Sequence, residues 1–480
     1  MQAQVRPSLP LNLKENNHFL LAQLFRAQPL QIKTDHKMTT RPTYLKLPSL
    51  LFGLLIASAA HTTFAKHHES ASDTSQVEQL VPFYKYTQTI TAASDLDDKN
   101  YVMAPVIMSV GPTEMLIAYK RGYAHLTDRE AGTEVLRFNP ETERILSRTT
   151  LRRPGNIFQN AEFAKFSNGE IACFIDMQIS GPEDGSSRPE HSAATVEGGA
   201  LDPKVLRARA ARLGVIEFRS SDGGLTWQDR GKLGLVDGVE YGYVFEAITE
   251  GSTTWMLVMT FTVLPGAKEV DPLRPHAGSV DVIRTDDNGH SWRRVRNLTK
   301  EFGGVSEGIS INESSFIRHG DGFIISARGY DNRQWLIKTD GDFKLRKKVD
   351  LNAANPFIRS YVGRPRLFER DGGFYLIGRN WDKPPTDRGT VLGYDQLKTR
   401  QPGTTLMKLS LFRFDPVTLA ISKHVILDNA EEENVIDGYY AVPYWQERRG
   451  STYLNTIIYK RPISRNPDIL RLEFDWEEVR

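Results

Sequence analysis

Two eight-residue boxes constrain this chain more than any other feature. Ser220-Ser221-Asp222-Gly223-Gly224-Leu225-Thr226-Trp227 and Thr285-Asp286-Asp287-Asn288-Gly289-His290-Ser291-Trp292 share the pattern Ser/Thr-x-Asp-x-Gly-x-Ser/Thr-Trp. An apolar strand precedes each, Val215–Arg219 and Val280–Arg284. The Asp can accept the backbone N–H groups of a tight turn, the Gly supplies a positive φ, and the Trp packs the turn under a sheet. Degenerate copies stand at Arg137-Phe138-Asn139-Pro140, Lys338-Thr339-Asp340-Gly341-Asp342 and Arg413-Phe414-Asp415-Pro416. A turn that recurs between hairpins implies a radial array of four-stranded blades. The expected fold is all-β: a six-bladed β-propeller of four-stranded antiparallel blades, with seven blades as the alternative. The boxes themselves are read as structural.

The rest of the chain agrees. Short alternating or apolar runs (Val102–Met108, Glu114–Tyr119, Ile171–Ile175, Thr254–Thr262, Gly322–Ala327, Gly373–Gly378, Tyr453–Tyr459) are separated by Gly, Asn and Asp turn signals. Helical periodicity is scarce and clearest over Pro203–Leu213, beside a Gly, Ser, Pro and Glu-rich stretch, 178–202, that reads as a long loop.

Residues 47–60 form an apolar run preceded by Arg41 and Lys46 and followed by Thr63-Phe64-Ala65. Positive flank, short apolar core and small residues before a cut describe a secretory signal peptide. The run is too short for a transmembrane anchor, which takes roughly 20 residues. The expected organisation is an upstream extension (1–37), a signal peptide from Met38 to Ala65, a linker (66–84) and the propeller (85–480). The segment before Lys66 holds seven of the 61 Lys and Arg but two of the 59 Asp and Glu, so the chain's +2 becomes −3 after cleavage. Nucleic-acid binding thereby loses its compositional support, and a secreted or periplasmic location is expected. One cysteine, Cys173, excludes a disulfide framework and any Cys-based metal site. Scattered histidines argue against a transition metal; no cofactor is expected beyond a structural calcium that loop carboxylates could hold.

The boxes resemble the Asp-box, or bacterial neuraminidase repeat, and over roughly residues 85–480 the chain resembles the sialidase superfamily. That resemblance implies a site with arginines for the substrate carboxylate, an acid, a nucleophilic Tyr and a Glu that takes the phenol's proton. By motif, Met115–Arg121 resembles a first-blade strand ending in a site-facing Arg121, and Asp128 in the following loop is the acid. Ile311-Asn312-Glu313 supplies the base, Glu313, and Ser326-Ala327-Arg328 a carboxylate clamp, Arg328. Arg364 and Arg366 open the next blade as further clamps, Arg366 being favoured by strand alternation. Asp437-Gly438-Tyr439-Tyr440-Ala441 resembles the segment carrying the nucleophile: Tyr439, with Tyr440 as the alternate. The expected substrate is an acidic oligo- or polysaccharide, hydrolysed in the manner of an exo-sialidase.

Two positions depart from the resemblance. Met103 stands where a clamp arginine is expected, a loss on the order of 1.5–3 kcal/mol of charge-assisted contact. Lys460 lies near the place of a common glutamate. These departures admit a rival: β-elimination on a uronic-acid polysaccharide, as in ulvan lyases, with His125 as base or acid near neutral pH and Arg121 neutralising the uronate. No second histidine accompanies it, Phe158-Gln159-Asn160-Ala161-Glu162 standing in the neighbouring strand. A third reading is a non-catalytic glycan-binding propeller.

Overall fold

The computed structural model describes residues 78–80, 86–125, 128, 130–179, 212–260, 279–303, 311–329, 332–381, 407–428, 435–462 and 464–480. The upstream extension, the signal peptide and nearly all of the linker lie outside these residues, as does most of 178–211. Of the expected helix, Arg212 and Leu213 instead open a strand.

Two strands precede the repeated units: β1 (Glu78–Leu80) and β2 (Tyr86–Thr91). Four-stranded antiparallel meanders then follow. The first holds β3 (Tyr101–Ser109), β4 (Met115–Gly122), β5 (Ala131–Asn139) and β6 (Arg144–Leu151). The second holds β7 (Asn156–Lys165), β8 (Ile171–Ile179), β9 (Arg212–Ser220) and β10 (Gln228–Lys232). After the short β11 (Leu235–Val236), the third holds β12 (Val239–Glu250), β13 (Thr253–Thr260), β14 (Val280–Thr285) and β15 (Arg293–Asn297). The fourth holds β16 (Ile311–His319), β17 (Gly322–Gly329), β18 (Gln334–Thr339) and β19 (Leu345–Asp350). The fifth holds β20 (Gly363–Arg370), β21 (Gly373–Trp381), β22 (Met407–Phe414) and β23 (Ile421–Asp428). The C-terminal strands β24 (Val435–Arg448), β25 (Ser451–Pro462) and β26 (Asp468–Asp475) take β2 as their fourth strand. This is a β-propeller of four-stranded antiparallel blades. Counted as hydrogen-bonded sheets, the described strands make five, not six or seven, because a parallel bridge from Ala131 to Ile157 fuses the first two meanders into one eight-stranded sheet.

Both complete boxes join the third and fourth strands of a unit, and they fold as their chemistry requires. Asp222 accepts the backbone N–H of Leu225 (3.0 Å) and Thr226 (2.9 Å) and the Thr226 hydroxyl (2.6 Å). Asp287 does the same with Ser291, N–H at 2.9 Å and hydroxyl at 2.6 Å. The turn Ser and Thr at each entrance, Ser220 and Thr285, accept from Gly224 and Gly289. Trp227 stacks on Phe163, and Trp292 meets Phe174 edge-on. The three degenerate turns occupy the same third-to-fourth connection. The C-terminal unit has no such turn because its fourth strand comes from the N-terminal side, which accounts for the missing copy.

Apolar clusters lie between successive units. One joins Leu116 and Val135 to Phe163 and Phe218; another joins Leu257 and Val282 to Phe316 and Phe323. The cluster of Ile90, Tyr101, Ile117, Tyr440 and Ile457 joins the last unit to the first, closing the ring. Because inner strands are covered on both faces, they read as near-continuous apolar runs rather than alternating ones. Two fourth strands, Arg293–Asn297 (RRVRN) and Leu345–Asp350 (LRKKVD), are basic and half-buried to exposed, and charge on an edge discourages strand addition.

Candidate active site

A local device positions the site. In the first strand of every unit at least one extra residue is inserted relative to its partner strand, between Met103 and Val106, Phe158 and Ala161, Tyr241 and Tyr243, Ile311 and Ser314, Gly363 and Arg366, and Gly438 and Ala441, with a second in β12 and in β24. Such bulges bend the strand and re-aim side chains. Ala104, Arg364 and Tyr439 carry positive φ at these points (54°, 43° and 62°), a strained conformation for residues with a Cβ.

Glu313, in the fourth unit's bulge, is the centre of a buried cluster. Its Oε1 accepts the Tyr440 hydroxyl at 2.6 Å; its Oε2 accepts Arg328 Nη1 at 2.7 Å and the Arg364 backbone N–H at 3.0 Å. Burial alone would raise this carboxyl, but Arg328, the Tyr440 hydroxyl and Arg379 outweigh it and hold it at about 2. Tyr440 is shifted the other way: burial and the Glu313 charge push its phenol well above the ordinary value, against the pull of Arg379 and Arg328. Arg328 lies over the Tyr361 ring, 3.6 Å from its centroid, and its buried Nε has no partner among the described residues. One of its five N–H donors is thus engaged, leaving donor capacity for an anion.

Arg379 lies near the end of the second strand of the fifth unit, as Arg328 does in the fourth. It donates to Asp437 Oδ1 (3.1 Å) and approaches the Tyr440 hydroxyl (3.4 Å). Gly363 makes room for it: a Cβ there would stand 2.6 Å from Arg379 Nε. Arg364 turns elsewhere, donating to the Tyr243 hydroxyl (2.5 Å), Glu162 (2.9 Å) and the Ala161 carbonyl (3.1 Å). Arg366 shares Glu162 (2.5 Å) and pairs with Glu246 (3.2 Å). Both arginines are buried, and each gives a donor to Glu162.

Asp437 is the second node. Besides Arg379 it receives the hydroxyls of Tyr459 (2.8 Å) and Tyr101 (3.3 Å), and His125 Nδ1 lies 3.1 Å from its Oδ2. Burial opposes its charge, yet His125 and Arg379 hold its carboxyl well below the usual range. His125 is partly exposed and stacks on Tyr101. Its loop is pinned from below. Buried Lys120 donates to the carbonyls of Ala124 (2.7 Å) and His125 (2.8 Å), and Asp128 accepts the N–H groups of Tyr123 (2.9 Å) and Ala124 (3.2 Å). Burial lowers the Lys120 ammonium to about 8, with Asp128 3.4 Å away supporting its charge. Gly122 has no Cβ where the Asp128 carboxylate packs, which allows that approach.

The structure therefore brings Glu313, Arg328, Tyr440 and the backbone of Arg364 together, with His125 one carboxylate away. It places the Tyr439 side chain elsewhere, in the apolar cluster with Leu454, Ile458 and Leu472, because the bulge interrupts the alternation that would otherwise choose between the two tyrosines. Asp128 is fully buried and engaged with backbone. Arg121 lies on the face of β4 opposite Lys120, bonded to Glu134 (3.3 Å), Asp97 (3.1 Å) and the Lys99 carbonyl (3.1 Å), and lines a separate groove of about 460 Å³ with Arg148. Met103 sits in the apolar cluster beside Tyr101 and Tyr440, and Lys460 pairs with Asp428 at 3.0 Å. Sequence reasoning missed Arg379 and Asp437. The signal for Arg379 was the small-residue–Arg pair it shares with Arg328 late in a second strand, in Gly378-Arg379 and Ala327-Arg328.

No family model matches this chain, and no curated protein does. Solved structures do. A protein of unknown function from Dyadobacter fermentans DSM 18053 aligns with a TM-score of 0.54 at 13% identity, covering 83% of this chain and 99% of that one. A point mutant of the NanB sialidase from Streptococcus pneumoniae aligns with a TM-score of 0.53 at 10% identity, covering 83% and 71%. NanB in complex with 2-[(3-chlorobenzyl)ammonio]ethanesulfonate gives 0.51 at 9% identity. At these identities the likeness establishes a sialidase-like propeller fold; it carries nothing for an ulvan-lyase relation.

Proposed function

We propose that the protein is a secreted glycoside hydrolase of the sialidase type that removes an acidic sugar through Tyr440 and Glu313. The observation that carries the reading is the 2.6 Å bond from the Tyr440 hydroxyl to Glu313 with the Arg328 and Arg379 guanidinium groups beside it. A buried phenol is a weak nucleophile unless a base takes its proton as it attacks. Glu313 is the group in contact with that proton. In the resting site, Arg328 keeps Glu313 a poor base. A substrate carboxylate that draws Arg328 onto itself raises the proton affinity of Glu313, so the substrate's own charge readies the nucleophile. A neutral sugar lacks this effect. With Met103 replacing one arginine, Arg328 and Arg379 form a two-arginine clamp, while Arg364 and Arg366 brace the wall behind it. Tyr439 is assigned to the core, and Asp128 to holding the loop of His125. We place the blade number at six, each apolar cluster filling one interface between consecutive units.

The test is mass spectrometry of products after incubation with sialylated and uronic-acid-containing glycans. Saturated monosaccharide lost by wild type and retained by Tyr440→Phe is the expected result. Unsaturated uronate ends would instead mean β-elimination and overturn the hydrolytic reading. A fold of this kind hosts more than one chemistry, so the products decide.

A further inference from the structure

We propose that His125, oriented by Asp437, is the proton-transfer group for the leaving oxygen; this rests on the Tyr440–Glu313 reading above. Three observations carry it. His125 Nδ1 faces Asp437 Oδ2 at 3.1 Å, the arrangement that fixes a tautomer with the proton on Nδ1 and leaves Nε2 to exchange a proton with a ligand. No described residue bonds to Nε2, and the imidazole is partly exposed, whereas Asp128 is fully buried and committed to three backbone N–H groups. Finally, Asp437 also holds Arg379, which reaches the Tyr440 hydroxyl, so a single carboxylate sets the imidazole and the nucleophile's neighbour in one frame.

The groups facing the imidazole are Asp437 from β24 and Tyr101 from β3, with Arg461 of β25 over the Tyr101 ring. On its own segment, Lys120 holds the His125 carbonyl. The chemistry balances. In the first step, imidazolium Nε2–H protonates the leaving oxygen as its bond to the anomeric carbon breaks. Tyr440 oxygen bonds to that carbon and passes its proton to Glu313. In the second step, water attacks the carbon and gives a proton to neutral Nε2, while Tyr440 departs and recovers its proton from Glu313. Asp437 acts as a positioning residue.

Leaving-group dependence tests the assignment, because a good leaving group needs no acid. The probes are the 4-nitrophenyl and methyl glycosides of N-acetylneuraminic acid and of glucuronic acid. His125→Ala should lose about 100-fold or more in kcat/KM on the methyl glycoside while retaining most activity on the 4-nitrophenyl glycoside. Asp437→Asn should move the same ratio in the same direction and also raise KM. A merely structural His125 would depress both substrates alike, and an unchanged ratio in an active, folded His125→Gln would overturn the proposal. If wild type cleaves none of the probes, the parent reading fails and the inference falls with it. If wild type cleaves them, Tyr440→Phe is inactive and the ratio does not move, this assignment alone fails.

Discussion

Glu313→Gln should destabilise the protein at neutral pH by an amount that vanishes in acid. The carboxyl is held at about 2 against 4.5 for a free glutamate, so at about 1.4 kcal/mol per pH unit its ionisation favours the folded state by on the order of 3 kcal/mol. The folded value is the depressed one, so the contribution is complete above about pH 4.5 and is lost as pH falls toward 2. Linkage gives a residual of about 1.4 kcal/mol at pH 3. Gln keeps the shape and can still accept from Arg328 and the Arg364 N–H, but it leaves the Arg328 charge uncompensated, as protonated Glu313 does. Wild type and variant should therefore converge in acid. The assay is urea unfolding of both at pH 7, 5, 4 and 3, other titrations cancelling in the difference. A gap constant to within about 0.5 kcal/mol across that range would refute the reasoning. So would a variant more stable at pH 7, which would mean that desolvating the Arg328–Glu313 pair costs more than it returns.

Two other perturbations separate scaffold from site. Asp222→Ala and Asp287→Ala each remove turn hydrogen bonds to a charged acceptor; each should cost on the order of 2 kcal/mol in chemical unfolding and leave kcat/KM of the surviving folded fraction unchanged. Gly363→Ala should push Arg379 from its place beside Tyr440 and Asp437, raising KM for an acidic glycoside about tenfold or more, with circular dichroism unaltered. An unchanged KM would mean that Arg379 relaxes without loss and does not serve the clamp.

The turns were legible because their chemistry is local: Asp222, Gly224 and Trp227 act within a few residues of one another, so the pattern alone specifies the hairpin. The Glu313–Arg328 pairing was legible for a related reason, since both lie on one hairpin, at the start of its first strand and the end of its second. The choice of tyrosine was not. Alternation along a strand tells which of two neighbours faces a site only if the register is unbroken, and the extra residue between Gly438 and Ala441 breaks it there. Arg364 and Arg366 pose a different difficulty: residues two apart share a face in a regular strand, so alternation could not choose between them, and both side chains reach Glu162. Arg121 was misread for the opposite reason. β4 runs from Met115 to Gly122 without a bulge, so strict alternation turns Arg121 to the outer groove and Lys120 inward. Asp437 and His125 lie far apart in sequence, and no local pattern joins them.

The cluster draws on every unit of the ring. Tyr101 comes from the first, Glu162 from the second, Tyr243 from the third, Glu313 and Arg328 from the fourth, Arg364 and Arg379 from the fifth, and Asp437 and Tyr440 from the last. Each lies at or near the bulge of a first strand or in the last residues of a second. Removing any one unit would therefore leave buried polar groups of the others short of a partner: Arg364 without Glu162, or Glu313 without the Tyr440 hydroxyl. Closure depends on the strand from the N-terminal side, β2, pairing with β26 through Tyr86 to Thr91. Ring closure and site assembly are then one event, since the His125–Asp437 contact and the Tyr101–Asp437 bond both span that last interface. A chain that folds its blades but fails to seat β2 would keep its sheets and lose the frame that sets His125 and Arg379 about Tyr440.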